Sequence, residues 1–600
     1  MKTLHLIEQE LRAQLERVQR GSLSRRGFVA RLAAMGVAAP LAQMLLVQQG
    51  HAQALPVPAY KPTKRGGGGA LKLLLWQGPT LLNPHFAVGA KDQEGCKLFY
   101  EPLLRWDVNG NGVPVLAAAV PTRANGGIAA DGRSVTWKLK AGVTWHDGKP
   151  FDADDVVFNW QYATDPATAA VTLGSYDGIK AVEKVDALTV RVVFTKPSTL
   201  WWRSSQVGLV PRHLFAAYKG AKSRENPVNL KPVGTGPYRY TDFKPADHVG
   251  GTLNPNYHQP NKPYFDTVEI KGGGDSASAA RAVLQTGEFD FSWNIQLEDD
   301  VLLRMEKSGH GRADFAPGGD TETIVLQFAN PDVETQGERA HPKSRNPRLS
   351  DIAVRKALAL LLDRQGIAQS LYGRSGVATV NIINNPDRLN SRKLKHEFSI
   401  AKANALLDAA GWKKGPDGVR AKDGQRLALL FQTSTNAVRQ KVQQVYKQAC
   451  AQAGIEIAIK AVTPAVFFSS DEGNPDTFGK FWADLEMFAG AGRDPEPWND
   501  MLQFASWEMS AKANKWQSQN RGRWSNAEFD QLLRGAEVEF DDVKRMAMYI
   551  RMNDIVCEDV ATIPLVYRPS VNVLKRGLVA SITAWDMALS SVADWYREAS

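Results

Sequence analysis

Cysteine is scarce in this chain: three in 600 residues, Cys96, Cys450 and Cys557, far apart in sequence. They form no Cys-x-x-Cys pair and no metal-ligand spacing, which excludes a thiol redox motif and a cysteine zinc site. An oxidising compartment would permit one disulfide, but the spacing does not choose its pair. Otherwise each thiol packs as a small apolar group. Histidine is sparse too, ten in all. His248 and His258 can approach across a hairpin, yet they lack the carboxylate or cysteine support a metal site needs. Gly-x-Ser-x-Gly, His-Glu-x-x-His and Gly-x-Gly-x-x-Gly are absent. The run Gly66–Gly69 is not followed by the Gly-Lys-Ser/Thr of a phosphate loop. No catalytic residue, no metal and no cofactor is therefore expected. The positive charge, +10 overall, is interspersed with acids and forms no stripe of the kind a nucleic-acid groove uses, so no nucleic-acid partner is expected.

What is present is an ordinary globular composition, 43% hydrophobic and 23% charged, in a chain too long for one hydrophobic core. At least two lobes are expected. The first 54 residues read as an export signal. Arg25 and Arg26 stand just before an uncharged apolar stretch, 32–42, which is too short for the ~20 residues of a bilayer span. Ala52-Gln53-Ala54 then places small residues where a signal peptidase cuts. The order resembles a twin-arginine signal, and no cysteine follows the apolar stretch to carry a lipid. Residues 55–69 read as a flexible lead-in.

From Leu71 the chain is rich in strands. Leu71–Trp76 suits a buried strand. Val135, Trp137 and Leu139 alternate onto one face. Asp152 is placed to cap a helix, with acids in its first turn. After about residue 345, helices dominate. Ser350 or Asp351 caps one, Ala401–Ala410 forms a second that stops at Gly411, and Val438–Ala449 marks a third that stops at Gly454. The alternating strand Ile455–Ile459 follows. Helices near 526–538 and 541–558 lead to a strand over Thr562–Tyr567. This helix, glycine, strand order predicts α/β packing.

Several segments, in order, resemble the extracytoplasmic solute-binding proteins of family 5, the oligopeptide, dipeptide and nickel class. They are Tyr100-Glu101-Pro102-Leu103, Val135–Lys140 with Gly142–Pro150, Asp154–Phe158, Val233-Gly234-Thr235-Gly236-Pro237-Tyr238, Val354–Leu358 with Asp363-Arg364, and Leu406–Trp412. The resemblance implies a two-lobed α/β periplasmic-binding-protein fold of type II, hinge-linked, with the family's extra subdomain. Lobe I would be 70–318 plus 566–600 and lobe II 319–565, with crossings near Ala313–Thr323 and Ile563–Arg568. Hinge closure would trap a small peptide, and a membrane permease of an ABC importer would recognise the closed monomer.

The resemblance also suggests a pocket segment at Phe481–Glu486. Peptide binders of the family carry an aspartate there that pairs with the ligand's α-ammonium. Asp484 is the expected partner with Trp482 near it, although Trp482 is displaced by one position from the family's pattern and Leu485 replaces the usual tyrosine. Another register makes Asp494 the partner, or puts Ala491 at that place and leaves none; Arg493 is placed to pair a ligand carboxylate. A saccharide or opine-like solute, then nickel, are the alternative ligands; an exported hydrolase is disfavoured for want of a nucleophile and base.

Overall fold

The computed structural model describes residues 17, 23, 27, 30, 31, 57–87, 89–386, 389–468, 473–490, 492, 494–516 and 518–598. Arg25, Arg26, the apolar stretch and Ala52–Ala54 lie outside the described residues, as do Ala491 and Arg493. No described helix is long and apolar enough to cross a membrane.

The chain divides into two compact units. One contains Gly318–Pro569; the other is Leu55–Pro317 with Ser570–Ser600. Their main strands, in chain order, are β1 (Ala70–Leu75), β2 (Tyr238–Lys244), β3 (His248–Leu253), β4 (Thr267–Gly272), β5 (Phe291–Ser292), β6 (Gly311–Ala316), β7 (Thr321–Leu326), β8 (Ala428–Ser434), β9 (Glu456–Val462), β10 (Leu485–Gly490), β11 (Thr562–Tyr567) and β12 (Ser570–Lys575). The first unit in sequence builds a seven-stranded sheet in the order β6-β12-β5-β1-β4-β3-β2. β1 runs parallel to β4 and β5, and the outer pairs are antiparallel. A separate three-stranded antiparallel sheet joins Ser134–Lys138, Thr189–Phe194 and Ile179–Asp186 in that order.

That small sheet owes its packing to alternation. Val135 and Trp137 point inward and are fully buried, while Lys138 is exposed. Trp145 is buried as well. Each buried indole removes roughly 200 Å² from water, on the order of 5 kcal/mol at 25 cal/mol/Å². The helix Ala153–Thr164 starts where its sequence says it should. Asp152 accepts from the Asp154 N–H, and Asp155 reciprocates to complete a capping box.

The Gly318–Pro569 unit carries a six-stranded sheet in the order Val377–Ala378, β11, β7, β10, β8, β9. Helices Ile352–Leu360, Ile400–Ala409 and Ala437–Gln452 begin at Asp351, Ser399 and Asn436, each of whose side chains accepts a backbone N–H. Their apolar faces form one cluster with the sheet: Val354, Leu358, Leu407, Val442, Ile324, Leu485 and Met487. A second cluster, including Met501, Phe504, Phe529, Tyr549 and Ile555, holds the late helices Ala527–Ala536 and Asp542–Glu558.

Candidate functional site

Side-chain alternation along two neighbouring strands positions the site. β7 and β10 are antiparallel, with Thr321 opposite Gly490 and Leu326 opposite Leu485. Opposed residues share a face, so Ile324 and Leu326 meet Leu485 and Met487 in the helix-covered core. Thr321, Thr323 and Val325 fall on the other face with Phe488 and Gly490. Just beyond this pair the backbones close up. The Gly319 N–H donates to the Gly492 carbonyl at 2.9 Å. A Cβ at Gly319 would lie 2.6 Å from that carbonyl oxygen, and one at Gly492 would lie 2.8 Å from the Gly319 Cα. Only glycine permits this approach.

A partly open recess of about 420 Å³ lies there, walled by Gly319, Thr321, Thr323, Asn385, Asp500 and Gln503 among others. Asp500 sits on the short helix Trp498–Met501. Met501 is fully buried and pins that helix to the apolar cluster, and the Trp498 indole N–H donates to the Leu533 carbonyl at 3.2 Å. The threonine hydroxyls are already committed. Thr321 donates to the Ile382 carbonyl at 3.2 Å and accepts from Asn384 at 2.9 Å, and Thr323 bonds Thr562. Asp500 differs. Among the described residues its carboxylate has no hydrogen-bonding partner; Gln503 bonds only its backbone carbonyl, at 2.8 Å. Burial, then the charges of Asp494 and Asp320, push its pKa well above the ordinary carboxylate range. None of the described residues that wall the recess carries a positive charge.

The expected partner, Asp484, is committed elsewhere. It lies immediately before β10, at the strand's opposite end from Gly490. The residue is 3% exposed. One carboxylate oxygen accepts from the Asn346 amide at 3.0 Å and the Arg348 guanidinium at 2.8 Å; the other accepts from the Leu430 N–H at 2.9 Å. Burial pushes its pKa up, against the pull of Arg348. Trp482 does not line the recess either. It meets Trp516 edge-on at 6.5 Å, with the Lys480 ammonium 4.9 Å from its ring and the Arg339 guanidinium 5.2 Å away. Asp494 follows Gly492 by two residues and adds its charge to the field at Asp500. Sequence reasoning passed over Asp500. The available signal was its position shortly after the carboxyl end of a strand, where open α/β sheets bind ligands.

Other conspicuous groups serve the scaffold. Glu322, 1% exposed, accepts from Arg439 at 2.8 and 3.1 Å and from Arg568 at 2.7 Å. His248 and His258 do not come together: His248 pairs with Asp242 at 2.7 Å, His258 with Glu101 at 2.9 Å. His146 clamps the Gly234-Thr235-Gly236 loop. It accepts from the Gly234 N–H at 3.1 Å and meets the Gly236 carbonyl at 3.0 Å. Burial drives its pKa down to about 4, so it stays neutral.

Residues 112–508 match the model of the bacterial extracellular solute-binding proteins, family 5 middle region. The chain is 27% identical over 388 residues to Protein XP55 of Streptomyces lividans, covering 64% of this chain and 65% of that protein. It is 28% identical over 398 residues to the oligopeptide-binding protein AppA of Bacillus subtilis, covering 64% of this chain and 67% of AppA. Identity to the glutathione-binding protein GsiB of Escherichia coli K12 is 25% over 506 residues, covering 83% and 89%. The structure of AppA with a nonapeptide superposes with a TM-score of 0.69 at 22% identity, over 90% of this chain and 100% of that one. The fold is the two-lobed α/β fold of those binding proteins. This chain belongs to the bacterial extracellular solute-binding proteins of family 5.

Proposed function

We propose that this chain is the substrate-binding component of an ABC importer, that its solute is a peptide, and that Asp500 receives the peptide's α-ammonium. The observation that carries this is the Asp500 carboxylate, which borders the recess with no hydrogen-bonding partner among the described residues and with the charges of Asp494 and Asp320 near it. A peptide brings the missing positive charge. Relatives named for oligopeptide and glutathione binding support the same ligand class. Asp494 tunes the field at Asp500, and Arg493, one residue earlier, pairs a ligand carboxylate. Asp484 and Trp482 hold the lobe together rather than touch solute. The protein acts as a monomer, releases its ligand unchanged to a membrane permease, and reaches the periplasm by a twin-arginine signal in residues 1–54.

The test is native mass spectrometry of the mature protein after incubation with a peptide pool, followed by recovery of the bound material. Intact peptides with free amino termini are expected. Selection of N-acetylated peptides equally well, recovery of sugars or opines from a cell extract instead, or cleavage of the pool would each defeat this reading.

A further inference from the structure

The recess that Asp500 borders has a second wall, the loop Asn381-Ile382-Ile383-Asn384-Asn385. Three asparagines fix this loop. Asn553, fully buried on the helix Asp542–Glu558, accepts the Ile382 and Ile383 N–H groups at 2.9 and 3.1 Å and donates to the Asn381 side chain at 2.7 Å. Asn381 donates in turn to Asn390 at 2.8 Å and to the Ser391 carbonyl at 3.1 Å. Asn384 donates to the Thr321 hydroxyl at 2.9 Å and the Asn381 carbonyl at 2.8 Å, and it accepts from Thr379. Ile382 and Ile383 bury their side chains in the apolar cluster of the late helices.

Asn385 is different. It directly follows the pinned stretch and is half-buried in the wall of the recess, and its carboxamide has no hydrogen-bonding partner among the described residues. The other side-chain donors of the wall are already in use. Thr321 donates to the Ile382 carbonyl at 3.2 Å, and Gln503 to the Asp500 carbonyl at 2.8 Å. Thr323 bonds Thr562, whose own hydroxyl donates to the Ile324 carbonyl at 3.0 Å. Asn385 is thus the one side chain of this wall whose N–H groups donate to nothing among the described residues. It shares the recess with a carboxylate that accepts from nothing. A free donor and a free acceptor on one recess fit a ligand that carries both in complementary order. The amino end of a peptide does so, with an ammonium and a carbonyl two bonds away. A simple amine carries only the first.

We propose that Asn385 donates to the carbonyl of the ligand's first residue, so that the recess takes an α-aminoacyl group and not an amine alone. This rests on the reading of Asp500 as the ammonium partner and adds a second point of recognition. Because Asn381, Asn384 and Asn553 already order the loop, the donor is in place before the ligand arrives, and binding bears little ordering cost. The test is calorimetric titration of the mature protein with the tightest peptide recovered from the pool, its N-acetylated form and two analogues altered at the first peptide bond. An ester there removes the N–H and keeps the carbonyl; an (E)-alkene removes both. The alkene should bind the native protein about five-fold more weakly than the ester, as one neutral hydrogen bond requires. Asn385→Ala should bind the peptide about five-fold more weakly, distinguish ester from alkene by less than two-fold, and keep the full penalty for acetylation. Asn385 has no partner to orphan, and thermal unfolding without ligand verifies the fold of the variant; the two analogues on the native protein answer independently of it. Equal affinity of the native protein for ester and alkene, or peptide affinity of Asn385→Ala within two-fold of native, overturns the proposal and leaves the Asp500 reading in place while acetylation still weakens binding. No penalty for acetylation in the native protein overturns both.

Discussion

Replacing Asp500 with asparagine separates what this residue does for ligand from what it does to the fold. The amide keeps the shape of the side chain and removes its charge. A hydrogen bond between an ammonium and a carboxylate contributes about 1.5–3 kcal/mol, so the dissociation constant for a peptide should rise between about ten-fold and a hundred-fold or more. The peptide to use is the tightest one recovered from the pool, alongside its N-acetylated form. Acetylation should weaken binding to the native protein by a similar factor and should cost little further in the variant, because both changes remove the same interaction. Stability moves the other way. Burial with Asp494 and Asp320 raises the pKa of Asp500 in the fold, so the folded state holds that proton more tightly than the unfolded chain. Its contribution is present below the unfolded value of about 3.9 and is lost as pH rises through the folded value. At neutral pH the ionised form is a burden, and unliganded Asp500→Asn should melt higher than the native protein, with the gap closing on acidification. Calorimetric titration and scanning calorimetry read both effects. Peptide affinity unchanged within two-fold, or a lower melting temperature for the unliganded variant at pH 7, would refute the reasoning.

Two further outcomes follow from groups the fold has already committed. Asp484→Ala leaves the Asn346 amide and the Leu430 N–H without their acceptor, and leaves Arg348, whose side chain is 12% exposed, with only the exposed Asp332 at 2.7 Å; a loss of about 2–3 kcal/mol is expected in denaturant unfolding. A loss below about 1 kcal/mol, with peptide binding weakened, would return Asp484 to the ligand site. His85 and His146 are held neutral, each lowered to about 4 chiefly by burial. The unfolded chain takes up these protons near pH 6.5 and the folded one does not, so stability is full above that value. It should decline as pH falls toward 4, by up to about 3 kcal/mol per histidine. A flat unfolding free energy between pH 7 and 4.5 would contradict this.

Local chemistry made most of the fold legible. Asp152 and Asp351 cap the helices that the sequence announces, because a cap needs only the next two or three residues, and Asn526 and Asp541 cap the two late helices in the same way. The Gly234-Thr235-Gly236 loop was legible as part of the family resemblance. The structure supplies the reason: a Cβ on Gly234 would sit 1.8 Å from the Phe99 carbonyl oxygen. What could not be read was pairing at long range. The Trp-Ala-Asp order around Asp484 resembles a binding motif, displaced by one position, but the partners of its carboxylate are Arg348, 136 positions away, and Asn346, 138 away. The register of β10 settles the rest. Starting at Leu485 and ending at Gly490, it puts Asp484 at the end away from the recess that Gly490 and Asp500 line.

The acids of this protein sort by one criterion, whether the fold supplies all their donors. Glu322 has two arginines, Glu101 has three donors, and Glu94 accepts the Ala588 and Leu589 N–H groups at 2.8 Å each. A carboxylate so supplied has nothing left with which to hold a ligand. Glu338, Asp554, Asp586 and Glu486 each keep one buried oxygen without a partner, and Glu486 is the most deeply buried of them. One of its oxygens is buried without a partner while the other accepts from Gln432 at 3.2 Å. Burial pushes its pKa well above the ordinary range, against Arg521, Arg523 and Lys460. It is fully buried, so no solute reaches it, and protonation answers its deficit. Asp500 shares the unmet need but borders a recess open to solvent, so water can screen it until a cation arrives. Unmet charge marks a candidate site only where a ligand can enter; Asp500 meets both conditions, whereas Asp484 and Glu322 have their donors supplied and Glu486 is closed to solvent.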